Sequence, residues 1–353
     1  MITIGVDAHK QIHVALALAE AGREIGDWRG PNSASGWRQL SGWASGIHEE
    51  RQWGIEGAWG YGRGFAQHLV GGGEVVFEIN PRWTAFGRRR GRRIDKTDRL
   101  DARAVALLVR QEAPGLPQVQ PEDDTAVLAL LSAEREQALS EATRLRNQIH
   151  ALLVHVDPEY HLRLPALKSG RGLAALEAYT TPDDRPLYQE RAAAVRRLAR
   201  RLRLATEQVE ELAIRTRTLA EQYYSPLTRL CGVNFLTAGT LAGILGPGHR
   251  FATDAQLAAY AGVAPLEASS AGLVRHRLNR GGNRRLNAIL YRIALTQAHH
   301  SKEARAYLDR RVTEGKSRRE AIRALKRFII RAIWRLWLEC EPTAVVAPLA
   351  AVA

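Results

Sequence analysis

Two heptad seams in the middle of the chain constrain its fold more than any other feature. Leu128, Leu131, Arg135, Ala138, Ala142, Leu145, Ile149, Leu152 and Val156 follow one another at alternating steps of three and four, and eight of the nine are apolar. A second run, Val195, Leu198, Leu202, Ala205, Val209, Leu212, Thr216, Leu219 and Tyr223, has the same spacing. Residues so spaced line one face of a helix, so both runs predict long helices that bury a narrow stripe against a partner helix, as in a coiled coil. Pro158, Pro165, Pro182 and Pro186 lie between the runs and forbid a single continuous rod. The two helices can pair with each other or with a second subunit. The seams are informative about architecture and weak about chemistry. They divide the chain into residues 1–121, a helical coiled-coil region 122–224, a third region 225–340, and an Ala/Pro/Val-rich tail 341–353 expected to be disordered.

Residues 1–79 alternate in the β manner. Ile2, Ile4 and Val6 face one way, His13–Leu18 predicts a second strand, and Glu24–Trp28 a shorter third. A helix is expected over Ser35–Ile47, buried strands over Trp53–Glu56 and Val75–Ile79, and a helix around Gly64–Val70 between them. This order predicts an α/β domain, a mixed sheet covered by helices. Gly71-Gly72-Gly73 has no following Gly-Lys-Ser/Thr, so it is not a phosphate loop. From Asn80 to Asp95 the chain is polar and arginine-rich, which predicts a loop. A helix then begins after Thr97, a good N-cap, and runs to about Arg110, before Pro114, Pro117 and Pro121. Beyond Ser225 the pattern predicts a mainly α region of short helices, glycines and basic residues.

The charge is unevenly placed. Fifty-one Lys and Arg oppose 37 Asp and Glu, for a net charge of +14, and six of the 51 are Lys. Between Ser270 and Arg335 eighteen cations face four acids, a surplus equal to that of the whole chain. A second concentration runs through Arg82, Arg88, Arg89, Arg90, Arg92, Arg93, Lys96, Arg99 and Arg103. The planar guanidinium grips a phosphate at two points, so Arg88, Arg89, Arg90, Arg92, Arg93, Arg275, Arg277, Arg280, Arg284 and Arg285 are candidate nucleic-acid contacts. Charge alone does not separate nucleic acid from an anionic membrane. With no apolar run of about 18 residues and no basic-then-apolar start, no membrane partner and a cytoplasmic, nucleoid-associated location are expected. Two cysteines, Cys231 and Cys340, exclude a disulfide scaffold and a zinc domain.

Four carboxylates stand where chemistry is possible. Asp7 ends the first strand, Glu56 a later one, and Asp98 and Asp101 lie three apart on one face of a helix's first turn. Carboxylates crowded together need counter-charge, and oxygen-loving divalent cations commonly provide it. Two Mg²⁺ ions could clamp the attacking and leaving oxygens of a phosphoryl transfer. The competing reading is structural: Asp98 and Asp101 favour a helix N-terminus, and Asp7 or Glu56 pairs with the Arg88–Arg93 loop. Ser269 and Ser270 precede the basic tract and are either a nucleophile among guanidinium groups or ordinary turn and cap residues. Leu230–Ala238 is similar to a helix-hairpin-helix, with Asn234 in place of its second glycine. His299, His300 and Glu303 read as surface residues.

Gly5-Val6-Asp7-Ala8-His9-Lys10, the Glu56 strand, Lys96-Thr97-Asp98-Arg99-Leu100-Asp101-Ala102 and the tract from Ala261 to Leu286 share an order and a spacing. In these the chain resembles the DEDD-type transposases of bacterial insertion sequences, relatives of the Piv site-specific invertase, over about residues 1–335. The resemblance implies a RuvC-like first domain of RNase H fold in which Asp7, Glu56, Asp98 and Asp101 hold Mg²⁺. It also implies a coiled-coil insertion and a C-terminal transposase domain with a nucleophilic serine. The family's serine lies five residues after the proline and usually directly before glycine. Counting from Pro265 selects Ser270, with Ala271 in the glycine position and Ser269 as the alternative. The implied activity is a DNA recombinase that exchanges strands between donor and target double-stranded DNA through a phosphoserine. A structured guide (bridge) RNA would select the sites. A homodimer or tetramer is expected, since strand exchange needs at least two active sites. The rivals are a RuvC-like structure-selective nuclease that uses water, and a non-catalytic nucleic-acid-binding protein.

Overall fold

The computed structural model describes residues 1–47, 50–81, 83, 97–247, 250–264, 266–267, 276–277 and 281–340. The chain forms two compact units. One comprises Met1–Thr125, Pro226–Gly232 and Leu245–Ala353, and the other Ala126–Ser225 and Val233–Ile244.

The first unit begins with β1 (Ile2–Ala8), β2 (Ile12–Leu18), β3 (Glu24–Pro31), α1 (Ala34–Ser45), β4 (Arg51–Glu56), α2 (Arg63–Gly71), β5 (Val75–Ile79) and α3 (Asp98–Glu112). The sheet order is β3-β2-β1-β4-β5. β1, β2 and β3 pair antiparallel, whereas β4 runs parallel to β1 and β5 parallel to β4. The two-residue alternation explains both layers. Ile2, Ile4, Val6, Ala15 and Ala17 share a core with Leu40, Phe65 and Leu69 of α1 and α2. Val14, Leu16 and Leu18 point the other way and pack against Ala102 and Ala106 of α3. β3 runs three residues past its apolar pattern, because Arg29, Gly30 and Pro31 of this edge strand pair with Val14, His13 and Ile12.

Gly5 sets the distance between α3 and the sheet. A Cβ there would lie 2.1 Å from the carbonyl oxygen of Ala102 and 2.3 Å from the amide nitrogen of Ala106, both backbone atoms that cannot rotate away. Gly5→Ala is therefore expected to destabilise the protein by about 3 kcal/mol, the upper end of ordinary overpacking, and to lift the first turn of α3 off the sheet. Denaturant unfolding with tryptophan fluorescence checks this, and a loss under 1 kcal/mol would show that α3 can slide.

The second unit is helical. α4 (Asp124–Val156), α5 (Gly170–Glu177), α6 (Pro186–Tyr223) and α7 (Phe235–Leu245) are its main elements. Ala142, Leu145 and Ile149 of the first seam share a core with Val195, Leu202 and Ala205 of the second. The connector contains α5, whose Leu173 and Leu176 enter the same core. Ser169 caps that helix, accepting from the Gly172 amide at 3.0 Å. Leu153, Ala192 and Ala199 are buried beside the seam residues, so the apolar stripe is wider than the heptad pattern. In the Leu230–Ala238 stretch Gly232 takes a left-handed turn (φ +90°). Asn234 caps α7 through its side chain, which accepts from the Thr237 amide at 2.9 Å.

The C-terminal part of the first unit holds α8 (Asp254–Tyr260), an antiparallel pair of β6 (Leu266–Glu267) and β7 (His276–Arg277), and three helices: α9 (Arg284–His300), α10 (Lys302–Thr313) and α11 (Arg318–Trp337). These last helices, at 17, 12 and 20 residues, are not the short elements that the basic composition suggested. Arginine is a good helix former, and α11 buries Leu325, Ile329, Ile330, Ile333 and Trp337 along one side. The tail from residue 341 lies outside the described residues. Among the described residues no helix is long and apolar enough to cross a membrane.

Candidate active site

Asp7 and Glu56 are register partners on neighbouring parallel strands, so their side chains leave the same face of the sheet. α3 crosses that face. Its Val105 and Val109 lie over Gly54, and its Ala102 and Ala106 over Gly5. The start of α3 is set by Thr97, whose hydroxyl accepts from the Leu100 amide at 3.3 Å. These constraints bring the first turn, with Asp98 and Asp101, to the ends of β1 and β4.

Asp7 is 7% exposed and Asp101 4%. These acids are more deeply set than the open sheet mouth that their sequence positions implied. Burial, opposed by His9 and reinforced by the charges of Glu56 and Asp101, pushes the Asp7 carboxyl up to about 6 from 3.8. Glu56, Asp101 and Asp7 thus form one electrostatic group. Asp98 joins it through His9, whose Nε2 lies 3.1 Å from Asp7 Oδ2 and 3.5 Å from Asp98 Oδ1. Ligand atoms of Asp7, His9 and Asp98 all fall within 4.8 Å of one another, a spacing that can hold a metal ion. An excess of buried negative charge beside that triangle fits a divalent cation better than an empty cluster of acids.

His9 is the residue that the charge pattern missed. Its signal was present: it stands two residues after Asp7, hence on the same side of an extended chain. Arg99 and Arg103, in contrast, belong to local ion pairs. Arg99 pairs with Glu24 at 2.5 Å and Asp27 at 3.3 Å, and Arg103 pairs with Glu24 at 2.7 Å. Arg284 is exposed and Arg285 half-buried in the first turn of α9, and the backbone of Arg277 lies in β7. Ser269 and Ser270 lie in sequence between β6 and β7. They fall outside the described residues, as do Arg88, Arg89, Arg90, Arg92, Arg93, Arg275 and Arg280.

The glycine-rich part of the basic tract has a structural task. A Cβ on Gly282 would come within 2.3 Å of the Gly262 backbone, so the start of α9 closes tightly on the end of α8. Asn283 caps α9 by accepting from the Leu286 amide at 3.0 Å. The Asn287 side chain donates to the Ala261 carbonyl at 2.8 Å. Beside this junction is a cleft of about 770 Å³, lined by Glu78, Asn80, Phe251, Tyr260, Gly282 and Asn283 among others. Beneath it, Arg250 reaches Glu78 of β5 at 2.6 Å and ties the C-terminal helices to the sheet.

Residues 4–158 match a transposase family profile, that of the DEDD transposases of IS110. Residues 224–309 match a second, the transposase IS116/IS110/IS902 family. A protein of Streptomyces coelicolor described as an insertion element IS110 uncharacterized 43.6 kDa protein is 29% identical over 284 residues, covering 68% of this chain and 70% of its own length.

Proposed function

Since the chain belongs to the IS110 family of transposases, we propose that it is the DNA recombinase of an insertion sequence, cutting and exchanging strands between donor and target double-stranded DNA. The observation that carries this reading is a buried Asp7 whose carboxyl burial, Glu56 and Asp101 push up to about 6, with Asp98 drawn to the same place through His9. The strand order, three antiparallel strands followed by two parallel ones with α3 across the acidic face, supports an RNase H-like, RuvC-like domain. The long helices, paired with each other within the chain, support a coiled-coil insertion, and a homodimer or tetramer is proposed because strand exchange needs at least two active sites.

Asp7, Glu56, Asp98 and Asp101 hold the metal, which we take as Mg²⁺. When bound, it supplies Lewis-acid polarisation of the scissile phosphate and activation of the attacking oxygen. Ser270, or Ser269 beside it, is the nucleophile: its Oγ loses a proton and bonds to phosphorus while the bond to a sugar oxygen breaks. The arginines of the same tract, Arg275, Arg277, Arg280, Arg284 and Arg285, stabilise the charge gathered on the phosphoryl oxygens. A structured guide RNA selects donor and target by base pairing, while the protein reads backbone and shape. The net charge of +14, carried mostly by arginine, supports this division of labour.

The second reading is a RuvC-like nuclease, since the same four acids suffice for attack by water. A covalent-adduct assay separates the two. Protein, element-end RNA, labelled donor and target DNA and Mg²⁺ are mixed, denatured and digested for peptide mapping. DNA is expected on the Ser269–Ser270 peptide and is expected to vanish in Ser270→Ala. Cleaved DNA without an adduct, and full activity in Ser270→Ala, would establish the nuclease instead.

A further inference from the structure

We infer that His9 supplies a nitrogen ligand to the metal held by the carboxylates, so that this site binds Mn²⁺ more tightly than the Mg²⁺ it is proposed to use. The inference rests on the metal-site reading above and adds a residue to it. Nε2 of His9 lies 3.1 Å from Asp7 Oδ2 and 3.5 Å from Asp98 Oδ1. Ligand atoms about 2.1 Å from an ion stand about 3.0 Å apart on neighbouring octahedral corners. The Asp7–His9 contact, a hydrogen bond in this structure, also has the spacing of two adjacent ligands. Asp98, with a side chain 40% exposed, has the freedom to close its remaining distance.

The turn that carries His9 is held from both sides. The His9 amide donates to the Ile12 carbonyl at 3.0 Å. The His9 carbonyl accepts from the Asn32 side-chain amide at 3.2 Å. Asn32 in turn donates to the Tyr61 carbonyl at 3.1 Å and accepts from the Trp37 indole at 2.9 Å. One side chain thereby ties the β1–β2 turn to the loop after β4 and to α1. A backbone fixed in this way presents the imidazole to the acids with little left to order on binding. A surface counter-ion needs no such support.

The ligand chemistry follows. Mg²⁺ is a hard ion that takes oxygen donors and keeps several waters, whereas Mn²⁺, which also takes carboxylates, begins the first-row transition series and accepts an imidazole nitrogen more readily than Mg²⁺ does. Replacing one oxygen position by His9 Nε2 biases an otherwise all-carboxylate set toward Mn²⁺. The imidazole binds as the neutral ring, and any proton it held passes to solvent.

The test is pulsed EPR on the full-length protein titrated with MnCl₂, with MgCl₂ competition, for the wild type, His9→Gln and Asp98→Asn. His9 has a side chain 46% exposed, so His9→Gln should fold, and circular dichroism checks that it does. Wild-type protein is expected to show the ¹⁴N modulation of a bound imidazole, lost in His9→Gln. The Mn²⁺ over Mg²⁺ affinity ratio should fall about tenfold in that variant, the size typical of losing a group that tunes a metal. Bound Mn²⁺ without ¹⁴N modulation, or a modulation and ratio unchanged in His9→Gln, would overturn the inference while leaving the carboxylate site standing. Absence of Mn²⁺ binding in the wild type, or equal binding in Asp98→Asn, would remove the metal site itself and the inference with it.

Discussion

Asp7→Asn should reduce strand cleavage about a thousandfold or more, and the same substitution should stabilise the metal-free protein at neutral pH. The first effect follows from loss of a ligand whose metal offsets transition-state charge, worth about 4 kcal/mol. The second follows from the raised carboxyl, at about 6 against 3.8 in an unperturbed chain. Between those values the native state keeps a proton that the unfolded chain has lost, so stability falls as pH rises from about 4 to 6 and stays lower above it. A shift of that size corresponds to roughly 3 kcal/mol of native-state cost at pH 7.5. Asn carries no charge and removes it. In EDTA, Asp7→Asn should therefore melt above the wild type at pH 7.5, and the gap should close toward pH 4. Added Mn²⁺ or Mg²⁺ should raise the wild type alone, because only a native state that binds the ion gains from it. A metal-free variant less stable than the wild type at pH 7.5 would show that Asp7 is a structural ion-pair partner of His9.

Glu78→Gln should destabilise the protein by about 3–5 kcal/mol, the usual result of leaving one half of a buried ion pair without its partner. Arg250 has a side chain 5% exposed and Glu78 one of 20%. Burial works against the Arg250 charge, yet Glu78 and Tyr260 hold its pKa above the ordinary arginine value. The guanidinium also lies over Trp59, Phe251 and Tyr260, with ring centroids 5.1, 5.0 and 4.8 Å away. The aromatic faces favour the cation but cannot supply a full counter-charge. Guanidinium chloride unfolding measures the loss, and the paired change Glu78→Gln with Arg250→Met should recover part of it. A cost below 1 kcal/mol for Glu78→Gln would mean that the aromatic cage and the Leu245 carbonyl, which accepts from Arg250 at 3.2 Å, support the charge without Glu78. Glu78 lies in β5 and Arg250 just before α8, so breaking the pair should also loosen the C-terminal helices from the sheet.

The strands β1–β5 and the helices α1–α4 and α6 were legible in the sequence because each has a short-range cause. Strand alternation marked β1 and β2, heptad spacing marked α4 and α6, and Thr97 marked the first residue of α3. The residue types of the candidate site, Asp7, Glu56, Asp98 and Asp101, could be read the same way, from their places at strand ends and in a helix's first turn. α5 was not legible, because prolines on both sides masked an eight-residue helix whose stability comes from packing Leu173 and Leu176 into the α4–α6 core. Nor were the long C-terminal helices, where arginine obscured the apolar face.

What only the tertiary structure decided depends on contacts between distant residues. Gly5 admits α3 onto β1, and that approach turns separate acids into one electrostatic group with a carboxyl near 6. Glu24 and Asp27, far from Arg99 and Arg103 in sequence, neutralise two arginines of the second basic concentration. Asn32 fixes the turn that carries His9, and Glu78 finds Arg250 across 172 positions. A sequence states which charges a chain carries. Their neighbours, and so their pKa values and their freedom to meet a ligand, are set by packing distances of a few ångströms that no local pattern encodes.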